Sequence, residues 1–420
     1  MRLLYIAIAY LLAPIVAGTM LIRGVRDRSY WRNFTQRFGF GEQLEGERSI
    51  WVHAVSVGEV QAAAPLVESL LHSYSRLPLV LTTVTPTGAD RARALFGERV
   101  TVRYIPYDLP GSVARFFERI RPQLVIILET ELWPNLYHAC GRRRIPLVLA
   151  SARISPKSVG RYRLLTGLFR ETLSHGISIA AQSEADAARF RSIGANPART
   201  HVVGNIKFDF ALPADIASTG RALRVLLGER RPVWVAGSTH AGEEEQILAA
   251  HREVRSAHPQ ALLVLVPRHP PRFADVASLL HREDVPFVSR SSGAPVTTAT
   301  QVFLLDTLGE LLPFYAACDV AFVAGSLVPI GGHNLLEPAA LGKAMLTGPY
   351  NFNSEDIARL LLQRGAVLQV ADAASLAANM ARLLHAPDER QRMGSIGRSV
   401  VDENRGAVAR LLPLLEPLIE

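Results

Sequence analysis

The chain reads as two doubly wound α/β domains behind an N-terminal anchor, and three observations support this. Beyond residue 48, short apolar runs alternate with longer segments of helical spacing, the pattern of parallel strands covered on both faces. That alternation pauses around residues 205–231 and then restarts. Ahead of both halves, Leu3 to Ile22 carries no charge. With 420 residues, 49% hydrophobic and 20% charged, the chain has material for two to three domains at ~150 residues each. Such a composition excludes a disordered or low-complexity protein.

The uncharged stretch spans ~30 Å as a helix, the thickness of a bilayer core. Pro14 and Gly18 interrupt it, as membrane helices tolerate. A cleaved signal peptide needs basic residues before the apolar run, whereas here they follow it. An interfacial helix should show a polar face, and this one shows almost none. The expectation is therefore a retained anchor, single-pass or deeply inserted. Of the net charge of +8, most lies in residues 1–41, where Arg2, Arg23, Arg26, Arg28, Arg32 and Arg37 face one acid, Asp27. Arginines after the apolar run place the body on the cytoplasmic side of the membrane. Tyr30 to Phe34 would meet anionic headgroups. The nearly balanced remainder excludes a nucleic-acid-coating protein. Cys140 and Cys318 are too few and too far apart for a disulfide framework or zinc site.

Five strands are expected in the first half, at Ser49–Val55, Leu79–Val84, Gln123–Leu128, Pro146–Ala150 and Ile177–Ala181. Leu66–Leu71, Val113–Ile120 and Ala185–Ile193 have helical spacing. Val233–Ala236, Ala261–Val266, Val302–Leu305 and Val320–Ala324 repeat the strand pattern in the second half. The domains follow: 1–41 anchor and basic interfacial segment, 42–213 the first Rossmann-like domain, 214–420 the second, the two facing a cleft. In such sheets ligands bind beyond the carboxyl ends of strands. No phosphate loop of the Gly-x-x-x-x-Gly-Lys type occurs, Gly39-Phe-Gly41 does not follow a strand, and there is no Asp-x-Asp to clamp a metal on a nucleoside diphosphate.

Several strand ends carry chemistry. Ser56-Val-Gly58-Glu59 turns from the first strand into a helix. The positive helix end keeps Glu59 ionised, which suits a general base and equally a capping acid. Glu129-Thr-Glu131-Leu-Trp133-Pro134-Asn135 sets two carboxylates after a buried strand, where packing does not need them. Lys207, in Gly204-Asn-Ile-Lys-Phe-Asp209, is one of only three lysines and either stabilises a leaving phosphate or is simply solvated. In the second half, Gly237-Ser238-Thr239-His240-Ala-Gly242-Glu243 offers amides and two hydroxyls as a phosphate cradle opening a helix. Pro267-Arg268-His269-Pro270 fixes an arginine that can chelate phosphate. Gly309, Glu310 and Leu311 present backbone to a base. Gly325-Ser326 leads into Gly331-Gly332-His333-Asn334-Leu335-Leu336-Glu337, where the glycines admit a ligand to the backbone and Glu337 can take both ribose hydroxyls. A capping box from Asn334 to Glu337 is the plainer alternative.

Taken in order, the anchor, Arg37-Phe-Gly39, Ser-Val-Gly-Glu59, Glu129-Thr-Glu-Leu-Trp-Pro-Asn135, Gly204-Asn-Ile-Lys-Phe-Asp209, Gly237-Ser-Thr-His240, Pro267-Arg-His269 and Gly-Gly-His-Asn-Leu-Leu-Glu337 resemble the 3-deoxy-D-manno-octulosonic acid (Kdo) transferases of Gram-negative lipopolysaccharide synthesis. The resemblance covers nearly the whole chain. It implies a GT-B glycosyltransferase that moves Kdo from CMP-Kdo to a lipid A precursor with inversion, needing no metal or other cofactor. It implies Glu59 as general base, and Glu129 and Lys207 as transition-state stabilisers. It matches Pro267, Arg268, the Gly309–Leu311 backbone and Asn334–Glu337 to CMP contacts, and the strand-end chemistry adds Ser238, Thr239, Gly331 and Gly332 to the expected donor site. A GT-B enzyme using a heptosyl or N-acetylglucosaminyl donor is an alternative. A non-catalytic membrane-associated nucleotide-binding protein is another.

Overall fold

A computed structural model describes residues 2–46, 48–155, 159–160 and 166–419. Two α/β units emerge, Met1–Phe210 with Asn404–Glu420, and Ala211–Glu403. In the first, β1 (Ser49–His53), β2 (Leu79–Thr83), β3 (Thr101–Tyr104), β4 (Pro122–Leu128), β5 (Leu147–Ala152), β6 (Ser178–Ala181) and β7 (Thr200–Val202) form one parallel sheet in the order β3-β2-β1-β4-β5-β6-β7. In the second, β8 (Val233–Thr239), β9 (Leu262–Pro267), β10 (Phe287–Ser289), β11 (Val302–Leu304), β12 (Val320–Val323), β13 (Ala344–Thr347) and β14 (Val367–Gln369) run β10-β11-β9-β8-β12-β13-β14. The first order reverses between β1 and β4; the second reverses between β8 and β12 and also at its edge, where β10 lies outside β11.

Continuous apolar runs become central strands because both sheet faces are covered. Along β4, Leu124, Ile126 and Leu128 enter one core while Val125 and Ile127 enter the opposite one. β1 divides the same way, with Ile50 and Val52 against Trp51. Each fully buried Leu, Ile or Phe contributes ~1.5–3 kcal/mol, so two such cores are the main source of stability in this unit. The helix Pro110–Ile120 shows how the covering layer is specified: Pro110 starts it, and Val113, Phe116, Phe117 and Ile120 fall on one buried stripe.

The expected second domain, 214–420, needs correction at its end, because the chain returns to the first unit after Glu403. The last helix, Ala407–Ile419, buries Val408, Leu411 and Leu415 in the core that holds Ile50 and Leu124. Asp209 ties its start. The carboxylate accepts the N–H groups of Gly406 at 2.6 Å, Ala407 at 3.3 Å and Val408 at 2.5 Å. Charged acceptors at a helix start offset its unpaired donors. We predict that Asp209→Ala costs about 1–2 kcal/mol, read as a lower urea midpoint with faster proteolysis near residue 405.

Candidate active site

The segment after β1 and the segment after β4 flank the point where the first sheet reverses, the place where open α/β sheets bind ligands. Ser56 caps the helix Val57–Ser73, its Oγ accepting the Glu59 N–H at 3.5 Å. The Glu59 carboxylate turns back, and Oε2 accepts the Val55 N–H at 2.9 Å. Glu59 therefore caps and still belongs to the site. The helix end does not hold its pKa in the ordinary carboxylate range. Burial, then repulsion from Glu129, pushes its pKa up to about 7 against the Val55 amide and Lys207. Desolvation outweighs the helix end here.

Glu129 follows β4 with φ +57°, in a left-handed conformation that costs a non-glycine residue ~1 kcal/mol or more. Its N–H continues the ladder to Ala150 O at 3.0 Å. Its carboxylate meets Lys207 Nζ at 2.6 Å and Arg153 Nε at 3.5 Å. Ser151, also left-handed at φ +52°, accepts Gln182 Nε2 on Oγ at 3.2 Å and the Ile206 N–H at 3.3 Å. The Lys207 turn is thereby pinned to the end of β5, and Asn205 Oδ1 holds the Lys207 N–H at 3.0 Å. Of the other lysines, Lys343 donates to Cys318 O at 2.8 Å and Lys157 lies outside the described residues. Glu131 is pushed up to about 7, chiefly by burial. Arg153 escaped the sequence reading, because Ala150-Ser-Ala-Arg153 has no glycine or proline to mark a strand end.

In the second unit the corresponding segments follow β8 and β12. Ser238 is left-handed at φ +65° and partly exposed. Thr239 is fully buried, its Oγ1 donating to Glu244 Oε1 at 3.1 Å, while Arg272 Nη2 donates to Glu244 Oε2 at 3.0 Å. Thr239 is thus a brace in this arrangement, and its hydroxyl is not presented to a ligand. The helix begins at Glu244, with Glu243 just ahead of it. Buried Glu243 reaches the next strand's loop, where its oxygens accept the N–H groups of Gly325 at 2.7 Å, Ser326 at 3.0 Å and Leu327 at 3.0 Å. Burial raises its pKa, opposed by those amides.

Beside this loop, His240 Nε2 and His333 Nε2 lie 2.8 Å apart with parallel rings, and His269 meets His240 edge-on. Burial first, then the neighbouring histidines and Arg268, depresses His240 to about 4 and His333 to about 3. Both are therefore neutral near pH 7, with one Nε2–H donating to the other nitrogen. The Arg268 N–H donates to Thr239 O at 3.0 Å, setting Pro267 and Arg268 at the end of β9. Glu310 pairs through its side chain with Arg290 at 2.9 Å, leaving Gly309 (φ +84°) and Leu311 to contribute backbone only.

The helix near Glu337 starts at Leu336, so Asn334 is not in the cap position that a capping box with Glu337 would need. Asn334 Oδ1 accepts the Leu336 N–H at 3.1 Å, and its Nδ2 donates to Glu337 Oε1 at 3.0 Å. The Asn334 side chain thus closes the turn ahead of the helix, whose cap position is Leu335, and Glu337 holds that side chain. Leu335 and Leu336 are core residues, so any ligand contact from them is through backbone. The glycine pair has an internal reason. A Cβ on Gly331 would stand 2.5 Å from Phe352, and one on Gly332 would stand 2.5 Å from Asn351 Oδ1. These glycines admit the Tyr350–Asn353 segment of the same chain.

Two parallel seven-stranded units with catalytic-type side chains at the sheet reversals define a GT-B-like enzyme chain. Solved structures share that fold: UDP-GlcNAc 2-epimerase from Neisseria meningitidis, at TM-score 0.57 and 15% identity, covers 87% of this chain and 100% of its own. A glycosyltransferase from Rickettsia africae, also at TM-score 0.57 with 12% identity, covers 89% and 100%. Sequence narrows the class. A family model described as 3-deoxy-D-manno-octulosonic-acid transferase (kdotransferase) matches residues 32–210. The 3-deoxy-D-manno-octulosonic acid transferase of Haemophilus influenzae is 40% identical over 100% of this chain and 99% of the relative. That of Bordetella pertussis is 38% identical over 96% of both. The chain belongs to the Kdo transferase family, and it is a glycosyltransferase.

Proposed function

We propose that this Kdo transferase takes Kdo from CMP-Kdo and adds it to a lipid A precursor, as a step of lipopolysaccharide synthesis on the cytoplasmic face of the inner membrane. Glu59, ionised, removes the proton of the acceptor sugar hydroxyl. The oxygen attacks the ketosidic carbon of Kdo while the bond to the CMP phosphate oxygen breaks, and CMP leaves with that electron pair. Attack and departure on opposite faces invert the centre. Positive charge is needed where negative charge develops, and Lys207, oriented by Glu129, supplies it. Arg268, Ser238, the Gly309–Leu311 backbone and the Asn334–Glu337 segment are the CMP contacts.

The observation that carries this reading is the convergence of Glu59, Glu129 and Lys207 beside the β1–β4 reversal in a chain of this family. Because CMP departs as a monophosphate, we expect transfer to survive chelation. Incubation with CMP-Kdo and tetra-acylated lipid A precursor in EDTA, followed by mass spectrometry, should show mass increments of one Kdo unit. Their number gives the product length. No increment at all, with or without added divalent cation, would defeat the proposal. Calorimetry with CMP against UDP and ADP separates the donor from other nucleotide sugars.

A further inference from the structure

We infer that the N-terminal helix lies in the plane of the membrane, seated on the first unit and embedded in one leaflet, and does not cross the bilayer. The helix Arg2–Arg26 is long and apolar enough to cross, but its contacts place it elsewhere. Arg2, Tyr5, Ile6, Ala9, Ala13 and Ala17 are half-covered and form one stripe along its first two-thirds, and Gly18, Met20 and buried Gly24 are covered further on. Tyr5 Oη donates to Asp108 Oδ2 at 2.9 Å. Asp108 is buried, and its carboxylate also accepts the N–H groups of Asn135 at 2.9 Å and Leu136 at 2.8 Å. A membrane-crossing helix would carry Tyr5 to the far side of the bilayer and abandon this bond.

The far end is held as well. Trp31 folds back to donate to Leu21 O at 3.0 Å. A few residues on, buried Arg37 donates to Val84 O at 2.7 Å, and the Tyr107 N–H donates to Arg37 O at 2.6 Å. Tyr107 adjoins Asp108, so both limbs of the N-terminal segment are fastened to one loop of the same unit. An interfacial helix standing alone needs a polar face. Here the body covers that face, so none is needed. Opposite the stripe, Leu3, Leu4, Leu11, Ile15, Ile22 and Val25 are all exposed, Leu3 at 81% and Ile22 at 68%.

Charge complementarity identifies an anionic leaflet as the occupant of that face. Arg2, His138, Arg142 and Arg143 line a hollow at the start of the helix, and exposed Arg23, Arg28 and Arg32 follow at its end. Cations at both ends suit a helix whose ends both lie at headgroup depth. The seat has a consequence for the site. Asp108 joins the helix to Asn135, four residues beyond Glu131, so insertion holds the loop that carries Glu129 and Glu131 in register with the membrane surface.

This inference rests on the membrane association proposed above. One cysteine on a short polar extension ahead of Met1 and a second variant, Thr35→Cys, are probed with an impermeant maleimide in inverted and right-side-out vesicles; Cys140 and Cys318 are buried. Both probes should label in inverted vesicles and be protected in right-side-out ones. Labelling of the extension from the opposite face, alone or in addition, would overturn the in-plane helix. Leu3→Cys, Leu11→Cys and Ile22→Cys carrying a fluorophore should be quenched equally by shallow nitroxide lipids, whereas quenching of Leu11→Cys chiefly by deep nitroxides would overturn it. Recovery of the chain in the soluble fraction would instead defeat membrane association itself, and the in-plane helix with it.

Discussion

Glu59→Gln is expected to lower kcat for Kdo transfer by about 100- to 10,000-fold, the range for losing a general base. The substitution keeps the carboxyl's shape and can still accept the Val55 N–H, so the loss reports the missing base and not a missing cap. The pH dependence follows from the pKa near 7. The base works ionised, so wild-type kcat rises with pH through about 7 and then levels, and Glu59→Gln loses that limb. Glu131, also pushed up to about 7, would give the same limb, and its retention in Glu131→Gln excludes that source. Stability runs the opposite way. A carboxyl whose folded pKa lies above its unfolded value contributes stability at acid pH that is lost as pH rises through about 7. Glutamine stays neutral, so the variant should be at least as stable as wild type above pH 7. Wild-type kcat in Glu59→Gln would remove Glu59 from the mechanism.

The central strands were legible because burial on both faces leaves nothing but apolar residues, as in Leu124–Leu128. The short strands β3, β7, β10 and β14 were not: three or four residues long, they complete the sheets on their neighbours' pairing and carry little pattern of their own. Interior β13, Ala344–Thr347, is equally short and has a single β-branched residue. The site divides in the same way. Glu59, Glu129 and Lys207 stood out because each is a charge just beyond an apolar run or in a lysine-poor chain. What the glycines at 331 and 332 accommodate, and where Thr239 points, depend on segments brought near only by the fold. The last helix illustrates the limit. Nothing within Ala407–Ile419 says which sheet it covers; its partner is Asp209, almost two hundred residues earlier.

Glu243 is the largest such surprise, and its removal should be the most damaging single change in the second unit. It looks like an ordinary acid ahead of a helix, yet its carboxylate accepts the N–H groups of Gly325, Ser326 and Leu327 from a loop some eighty residues on. That loop is the expected donor-binding segment after β12, and its amides are turned inward onto Glu243. Truncation to alanine leaves three buried donors without partners, each costing about 1–3 kcal/mol. Water entering the space would recover part of this, so a net loss of about 3–5 kcal/mol is expected in urea unfolding. Glu243→Gln should fall between, since one amide oxygen can still accept while its NH2 faces like donors. The functional consequence is separable from the folding one. Wild-type CMP affinity in folded Glu243→Gln would show that the Gly325–Leu327 loop supports the fold alone. Affinity lost in proportion to loop disorder would make the carboxylate the internal anion that shapes the donor site, a role phosphate itself takes in nucleotide-binding loops.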